Sequence, residues 1–95
     1  MAYDVGDKIR LSAAFVDIGN NPADPTTVTV KYKAPTTATV TKVYITDAEV
    51  IKDATGNYHI DVSINEAGGW KFRWEGTGAV EAAAQATFDA TAAIL

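Results

Sequence analysis

The sequence predicts an all-β domain whose strands pack as a sandwich or a small barrel. Apolar and polar residues alternate with a period of two in most segments, as they do in strands that bury one face. Glycine, asparagine and proline separate these segments at short intervals, which is typical of turns between strands. No segment before residue 79 has the 3.6-residue period of an amphipathic helix.

The first third of the chain predicts a turn, two strands and a loop between the strands. The turn lies at residues 4–7, and the alternating apolar residues of 8–17 follow it as the first strand. Residues 19–25 contain glycine, asparagine and two prolines, so they predict a loop that no helix can cross. Residues 27–33 alternate valine and tyrosine with threonine and lysine, which predicts the second strand.

Three further strands are predicted in the middle of the chain. Residues 39–45 are rich in β-branched side chains and favour a third strand, and residues 50–52 form a short fourth candidate. A fifth strand is predicted over 58–64, where large apolar residues alternate with polar ones behind a turn at 53–57. This alternation places His59 on the solvent face of the fifth strand.

The strand with the largest predicted share of the core lies within residues 68–76. Trp70, Phe72 and Trp74 fall on one face of this strand, and each ring can bury on the order of 150–250 Å². The charged residues between them fall on the opposite face, which we expect to be solvated. If that face is instead an interface, Arg73 is the expected anchor, because arginine is enriched at interfaces and lysine is depleted.

The alanine-rich residues 79–95 permit either a helix or a strand. Alanine favours a helix, yet the alternation from Val80 to Phe88 also has the period of a strand. We predict a seventh strand over 80–89, because the preceding strand needs a partner and the short glycine-containing link suits a hairpin. Ile94 and Leu95 end the tail that follows. We predict that they dock on a neighbouring copy or a larger shell, and the alternative is that they fold back over the domain.

Composition excludes several classes of function. The chain has 95 residues, a net charge of −4 and no cysteine, so disulfides, thiolate catalysis and cysteine metal sites are ruled out. A pI of about 4.7 has the wrong sign for a protein that binds a phosphate backbone. No apolar run approaches the length of a membrane span, and residues 1–7 do not predict a secretory signal. We therefore expect neither nucleic acid nor membrane as a partner.

No catalytic or metal-binding pattern is present in the sequence. His59 is the single histidine, and neither Ser12 nor Ser63 lies in the glycine-flanked turn that presents a serine nucleophile. One loop offers oxygen ligands for calcium, but their spacing matches no EF-hand, and such residues usually form turns. These residues are Asp17, Asn20, Asn21 and Asp24. We predict no catalytic residue, no cofactor-binding residue and no metal ligand, and hence no enzyme.

Four segments together resemble one protein family. They are Tyr3-Asp4-Val5-Gly6-Asp7, Asp24-Pro25-Thr26-Thr27-Val28-Thr29, Gly56-Asn57-Tyr58-His59-Ile60-Asp61-Val62 and Gly69-Trp70-Lys71-Phe72-Arg73-Trp74-Glu75-Gly76-Thr77-Gly78. The ensemble is similar to small immunoglobulin-like proteins encoded among the virion structural genes of tailed bacteriophages and related prophages. The pairing of a Gly-x-Tyr strand with a Gly-Trp strand is also found in many other bacterial and viral immunoglobulin-like domains. The alanine-rich end from Ala82 departs from the expected pattern.

The resemblance implies both a fold and a function. The implied fold is an immunoglobulin-like antiparallel β-sandwich of about seven strands over residues 1–89, with a carboxy-terminal tail at 90–95. The implied function is that of a non-enzymatic virion structural protein, such as a capsid decoration, neck or tail component. Such a protein assembles in the host cytoplasm and contacts other virion proteins in multiple copies or as a homo-oligomer. The alternative is a carbohydrate- or host-surface-binding immunoglobulin-like module, which requires exposed aromatic rings.

Overall fold

A computed structural model describes residues 2–94 of the chain, and these residues form eight β-strands and no helix. The strands are β1 (Ala2–Asp4), β2 (Lys8–Ala14), β3 (Thr27–Lys33), β4 (Val40–Val43), β5 (Ile51–Ala54), β6 (Asn57–Ser63), β7 (Gly68–Thr77) and β8 (Ala82–Thr91). One sheet has the order β1-β8-β7-β3-β4 and the other has the order β2-β6-β5. The apolar faces of both sheets contribute to one core, so the protein is a β-sandwich. Within residues 2–94 there is no helix with the length and apolarity that a membrane crossing requires.

Strand β7 organises the larger sheet, because it pairs along its length with strands on both sides. Its antiparallel register with β8 runs from Gly68 opposite Ala90 to Gly76 opposite Ala82. On its other side it pairs with β3. Strand β1 pairs with β8 in parallel and covers only the segment from Asp89 to Thr91. The remaining pairings between strands are antiparallel.

The tryptophans of β7 lie in the core, as the alternation predicted. Trp70 is 3% exposed and Trp74 is 1% exposed, while Phe72 is half-buried against the same core. The Phe88 ring of β8 stacks on Trp70, with centroids 5.8 Å apart, and forms an edge-to-face contact with Tyr3 at a centroid distance of 5.3 Å. Aromatic contacts thus connect β1, β8 and β7 on the inner face of the larger sheet. The Trp74 indole nitrogen has no hydrogen-bond partner within the described residues, so packing alone holds that ring.

The inward faces of β2, β3 and β6 also follow the predicted alternation. The buried members of these strands are Ile9, Leu11, Val28, Val30, Tyr58, Ile60 and Val62. Phe15 and Ile64, just beyond two of the strand ends, are buried as well. The period-two pattern therefore identifies the core faces of these three strands correctly.

The carboxy-terminal segment is a strand rather than a helix, and its bounds differ from the predicted ones. Strand β8 runs to Thr91, two residues beyond the expected end of the sandwich. Ala90 is buried, and the Val5 N–H donates a 3.0 Å hydrogen bond to the Thr91 carbonyl, so both residues belong to the packed structure. Strand β1 is an addition to the expected set of about seven strands. Ile94 is 93% exposed, and Leu95 lies outside the described residues.

His59 is buried, and the prediction that it faces solvent is wrong. It does lie on the outer face of β6, but this strand is the middle one of its sheet, with Ser12 opposite on one side and Ile51 on the other. The residue is only 7% exposed, and its Nδ1 lies 2.7 Å from Asp53 Oδ2. Alternation assigns a residue to one face of a sheet, but it does not reveal how far neighbouring side chains cover that face.

Gly56 lies at the turn that leads into β6. Its φ is +77°, and the Phe15 N–H donates a 2.7 Å hydrogen bond to its carbonyl. A Cβ atom at this position would lie 2.4 Å from the Phe15 carbonyl oxygen. Both the backbone conformation and the close approach therefore require glycine.

Candidate interaction face

The outer face of the five-stranded sheet carries a compact group of cations. Antiparallel pairing of β3 with β7 places Lys31 opposite Arg73 and Lys33 opposite Lys71. These residues point outward because the alternate residues of both strands, such as Val30 and Trp74, are buried in the core. We call Lys31, Lys33, Lys71 and Arg73 the basic block.

The basic block contrasts with the charge of the remaining chain. The sequence contains eight lysines and arginines and twelve acidic residues. Four of the cations are in the block, so the rest of the chain has far more acids than cations. Like charges directly opposite each other on neighbouring strands destabilise a sheet. The pairing of Lys33 with Lys71 is therefore unfavourable for the isolated fold, whereas Lys31 and Arg73 share a carboxylate partner, Glu75.

Glu75 is the one carboxylate bonded to the block among the described residues. Its oxygens accept a 2.8 Å hydrogen bond from Arg73 Nε and form a 3.1 Å ion pair with Lys31 Nζ. Hydrogen bonds from Arg73 and then from Lys31 lower the pKa of Glu75 below its usual value. Arg73 also donates to Gln85 Oε1 on β8 at 2.8 Å. Arg73 is thus held in place on the surface by partners on two strands.

The other two cations of the block have no carboxylate partner within residues 2–94. Lys33 Nζ donates to the carbonyls of Ala34 and Pro35 at 3.2 and 3.4 Å. Lys71 is exposed and forms neither an ion pair nor a hydrogen bond through its ammonium group in the described part of the chain. Lys33 and Lys71 lie opposite each other, so this side of the block is the more available to an external anion.

The block borders an open depression of about 480 Å³. The same depression is lined by polar residues, namely Thr39, Gln85 and Thr87, and also by Tyr32 and Phe72. Hydroxyl and amide groups can donate or accept hydrogen bonds, and the adjacent cations attract carboxylates. This surface can therefore bind the acidic and polar side chains of another protein.

The structure separates the predicted interface residues. Arg73 lies in the basic block and is paired with Gln85, whereas Ile94 follows the far end of β8. Thr91 is six residues beyond Gln85, which corresponds to about 20 Å along a strand. Arg73 and Ile94 consequently belong to different surfaces, and Leu95 lies outside the described residues.

The His59–Asp53 pair is a feature that the sequence reasoning missed. Ser12 lies directly opposite His59 on the neighbouring strand, so a serine, a histidine and an aspartate follow one another across the smaller sheet. No hydrogen bond connects Ser12 to His59 within residues 2–94, and Ser12 is exposed on the outer face of this sheet. The Asp53 carboxylate fixes the orientation of the imidazole ring, and we assign the pair a structural role.

The acidic residues of the 17–24 loop have partners within the fold. Asp17 Oδ1 accepts hydrogen bonds from the N–H groups of Gly19 and Asn21, as in an Asx turn. Asp24 accepts from Lys52, from the Gly56 N–H and from the Tyr58 hydroxyl at 2.6, 2.7 and 3.0 Å. The Lys52 hydrogen bond is the largest cause of the lowered pKa of Asp24. Residues 2–94 contain no cluster of three or more histidine, cysteine, aspartate or glutamate side chains suited to a metal.

The two tryptophans that could serve a sugar-binding surface are enclosed in the core. Trp70 and Trp74 are buried, and the large hydrophobic residues exposed on the described surface are all aliphatic. Comparison of the chain with models of protein families, with curated proteins and with solved structures found no match. The geometry of the outer face is therefore the main basis for a functional conclusion.

Proposed function

We propose that this protein is a non-enzymatic structural component of a tailed-bacteriophage virion and that it acts through protein–protein contacts. The observation that carries this proposal is the basic block, where Lys31 opposes Arg73 and Lys33 opposes Lys71. The Lys33–Lys71 pair has no carboxylate partner within residues 2–94, so it costs stability in the isolated sheet, and an anionic partner would offset that cost. The resemblance of four segments to phage virion proteins supplies the biological setting.

The proposed fold is immunoglobulin-like. In that fold one sheet contains the strands A, B, E and D, and the other contains C, F and G, with C′ added in variable-type domains. The orders β2-β6-β5 and β8-β7-β3-β4 correspond to B-E-D and G-F-C-C′. Strand β1 takes the place of strand A but pairs with β8. The basic block then lies on strands C and F, at the centre of the G-F-C-C′ face.

The proposed partner of the basic block is an acidic protein surface. Nucleic acid is a poorer candidate, because the net charge of −4 repels a phosphate backbone at long range. A protein surface can place a few carboxylates near Lys33 and Lys71 without approaching the acidic remainder of the chain. Within the proposal these carboxylates belong to another virion protein, and the protein is present in multiple copies on a particle assembled in the host cytoplasm.

The test uses phage particles produced from a genome that encodes this chain. Quantitative mass spectrometry of purified particles is expected to find the protein in repeated copies, and cryo-electron microscopy should place it on the particle surface. Lys71→Glu is expected to lower the number of copies of the protein on each particle. The substitution removes a cation from the block, and the new carboxylate can pair with Lys33. Lys8→Glu is the matched control, since Lys8 is an exposed lysine on the smaller sheet.

Virion membership and the role of the basic block can each be contradicted by a separate result. Particles that lack the chain would show that it is not a virion component. Particles that incorporate the Lys71→Glu variant as fully as the Lys8→Glu variant would show that the basic block is not the contact surface. Thermal unfolding of both variants separates a folding defect from a binding defect.

A further inference from the structure

The edge of the larger sheet at β8 is open over most of its length. Strand β8 pairs with β7 from Ala82 to Ala90, but on its other side β1 covers only the segment from Asp89 to Thr91. Residues 82–88 therefore have no strand beside them within the described chain. The side chains from Ala82 to Thr87 are all exposed, including those that point toward the inner face.

The hydrogen-bonding groups that face this edge follow from the pairing with β1. The Val5 N–H donates to the Thr91 carbonyl, so the backbone groups of Thr91 point away from β7. Backbone groups alternate in direction along a strand, and the register of β7 with β8 is continuous. Ala83, Gln85 and Thr87 consequently direct one N–H and one C=O each toward the open edge.

The other edge strands carry charged residues that oppose pairing with a further strand. Strand β2 carries Lys8 and Arg10, strand β4 carries Lys42, and strand β5 carries Lys52 and Asp53. Charged side chains and prolines on edge strands are common protections against unwanted pairing. Residues 82–88 contain neither, and they are mostly alanine. Among the long edges of the described structure, this one alone is unprotected.

We propose that a second copy of this chain pairs with the open edge of β8 in an antiparallel, two-fold symmetric arrangement. With Gln85 opposite its own copy, Ala83 lies opposite Thr87 of the second copy. All outward backbone groups of residues 83–87 then find partners, which gives up to about six N–H···O bonds between the copies. The edge is self-complementary in this register, and this property selects a second copy as the occupant.

Within residues 83–87 the side chains are compatible with this pairing on both faces of the joined sheet, whereas beyond them Glu81 of one copy approaches Asp89 of the other. On the inner face Ala84 meets Ala86 of the second copy, and these small exposed residues cover one another. On the outer face the Arg73 residues of the two copies are separated by three strand spacings, about 14 Å. This distance exceeds the screening length of about 8 Å at physiological salt, so their repulsion is weak. The two basic blocks then share one continuous face.

The pairing does not depend on the proposed virion function, because purified protein alone can form it. A contact of one short strand per copy buries less surface than a standard stable interface, so we expect a weak dimer. In a particle with many copies the high effective concentration would favour it. Sedimentation equilibrium of the purified chain over a range of concentrations measures the dissociation constant.

Gln85→Lys and Gln85→Glu test the register. Each substitution places two like charges opposite each other at the two-fold axis. The neighbouring Arg73 adds to the repulsion in Gln85→Lys and offsets part of it in Gln85→Glu, so the larger loss of self-association, about tenfold, is expected for Gln85→Lys. An equimolar mixture of the two variants is expected to restore association, since opposite charges then face each other. Gln85→Pro removes an outward N–H without affecting the bonds to β7, and it is also expected to weaken the dimer. Circular dichroism verifies that each variant is folded.

Several results would overturn the inference. The wild-type protein could stay monomeric at the highest concentration reached, or Gln85→Pro could associate as well as the wild type. A mixture of Gln85→Lys and Gln85→Glu that associates no better than either variant would exclude the two-fold register. These measurements involve no virion partner. Their results therefore test the pairing through β8 independently of the function proposed above.

Discussion

At the scale of single residues, the core depends most on the two tryptophans of β7. Trp74 is the largest of the fully buried side chains, and no hydrogen bond holds its indole N–H within the described residues. Its contribution to stability therefore comes from packing and from removal of apolar surface from water.

Trp74→Ala is expected to lower the free energy of unfolding by about 3–5 kcal/mol, because it leaves a large cavity that the core cannot fill. Domains of this size have a total stability of about 5–15 kcal/mol, so this loss is a large fraction of the total. Urea denaturation followed by far-ultraviolet circular dichroism measures the loss. Lys71→Ala on the same strand is the control, and equal midpoints for the two variants would contradict the core assignment.

Gly56→Val is expected to destabilise the protein more than Ala54→Val. A positive φ costs a non-glycine residue on the order of 1–3 kcal/mol, and the new Cβ would also collide with the Phe15 carbonyl. Ala54 lies in exposed strand β5, where valine is well tolerated. Thermal melts of the two variants provide the comparison, and a similar melting temperature for both would refute the turn argument.

At the scale of elements, sequence alternation predicted the strands that have a clear apolar face of their own. These strands can be recognised without knowledge of their pairing partners. The inward faces of β2, β3, β6 and β7 follow directly from their apolar residues. Strand β1 was missed because it has three residues and pairs with the opposite end of the chain. Its stability depends on Phe88 and Thr91, and no local pattern contains that information.

The candidate site was predicted only in part, for a related reason. Arg73 was identified from its residue type and its face, but the basic block exists only because β3 and β7 pair in one register. A shift of that register by one residue would place the cations on the wrong face. The open edge of β8 likewise depends on which strand lies beside it, and the burial of His59 depends on two neighbouring strands.

Truncation of the carboxy terminus is expected to have two outcomes that depend on where the chain is cut. Removal of residues 92–95 should leave the melting temperature nearly unchanged, because Ile94 is exposed and β8 stays complete. Removal of residues 90–95 should lower it, since the buried Ala90 and the Val5–Thr91 hydrogen bond are lost. Differential scanning calorimetry measures the melting temperatures of the two truncated proteins. Equal values for both would contradict the bounds of β8.

The shorter truncation also tests the predicted docking role of Ile94 and Leu95. If these residues contact a neighbouring copy or the virion shell, the protein without residues 92–95 stays folded but has lower occupancy on particles. Full occupancy of the truncated protein would show that the tail is not an interface.

At the scale of the whole molecule, stability is expected to fall at both acidic and alkaline pH. Hydrogen bonds and ion pairs lower the pKa of carboxylates on both sheets and on the loops between them, namely Asp24, Glu49, Asp61, Glu66 and Glu75. A lowered folded-state pKa stabilises the fold above the unfolded pKa of about 4, and this stabilisation is lost as the pH falls below it. Thermal melts between pH 2 and pH 6 measure this loss of stability. A melting temperature that does not change over this range would contradict the prediction.

Tyr58 is expected to contribute the alkaline limb. Burial, with a smaller contribution from its hydrogen bond to Asp24, raises the pKa of Tyr58 to about 12. A raised pKa stabilises the fold below the unfolded value of about 10, and the stabilisation is lost as the pH rises toward 12. Tyr58→Phe should weaken the loss of stability at alkaline pH, and at acidic pH it should affect only the contribution of Asp24, which loses one hydrogen bond. An alkaline limb identical to that of the wild type would exclude Tyr58 as its source.

The parallel pairing of β1 with β8 determines how the sandwich responds to tension along its chain. Ala2 lies opposite Asp89 and Asp4 opposite Thr91, so pulling the chain apart before β1 and after β8 slides the two strands along each other. The hydrogen bonds between the strands lie across the pulling direction and share the load, instead of opening one after another. The contact of Tyr3 with Phe88 lies in the same junction and resists the same sliding. Separation of β1 from β8 under such a load therefore requires the hydrogen bonds of this short junction to break together.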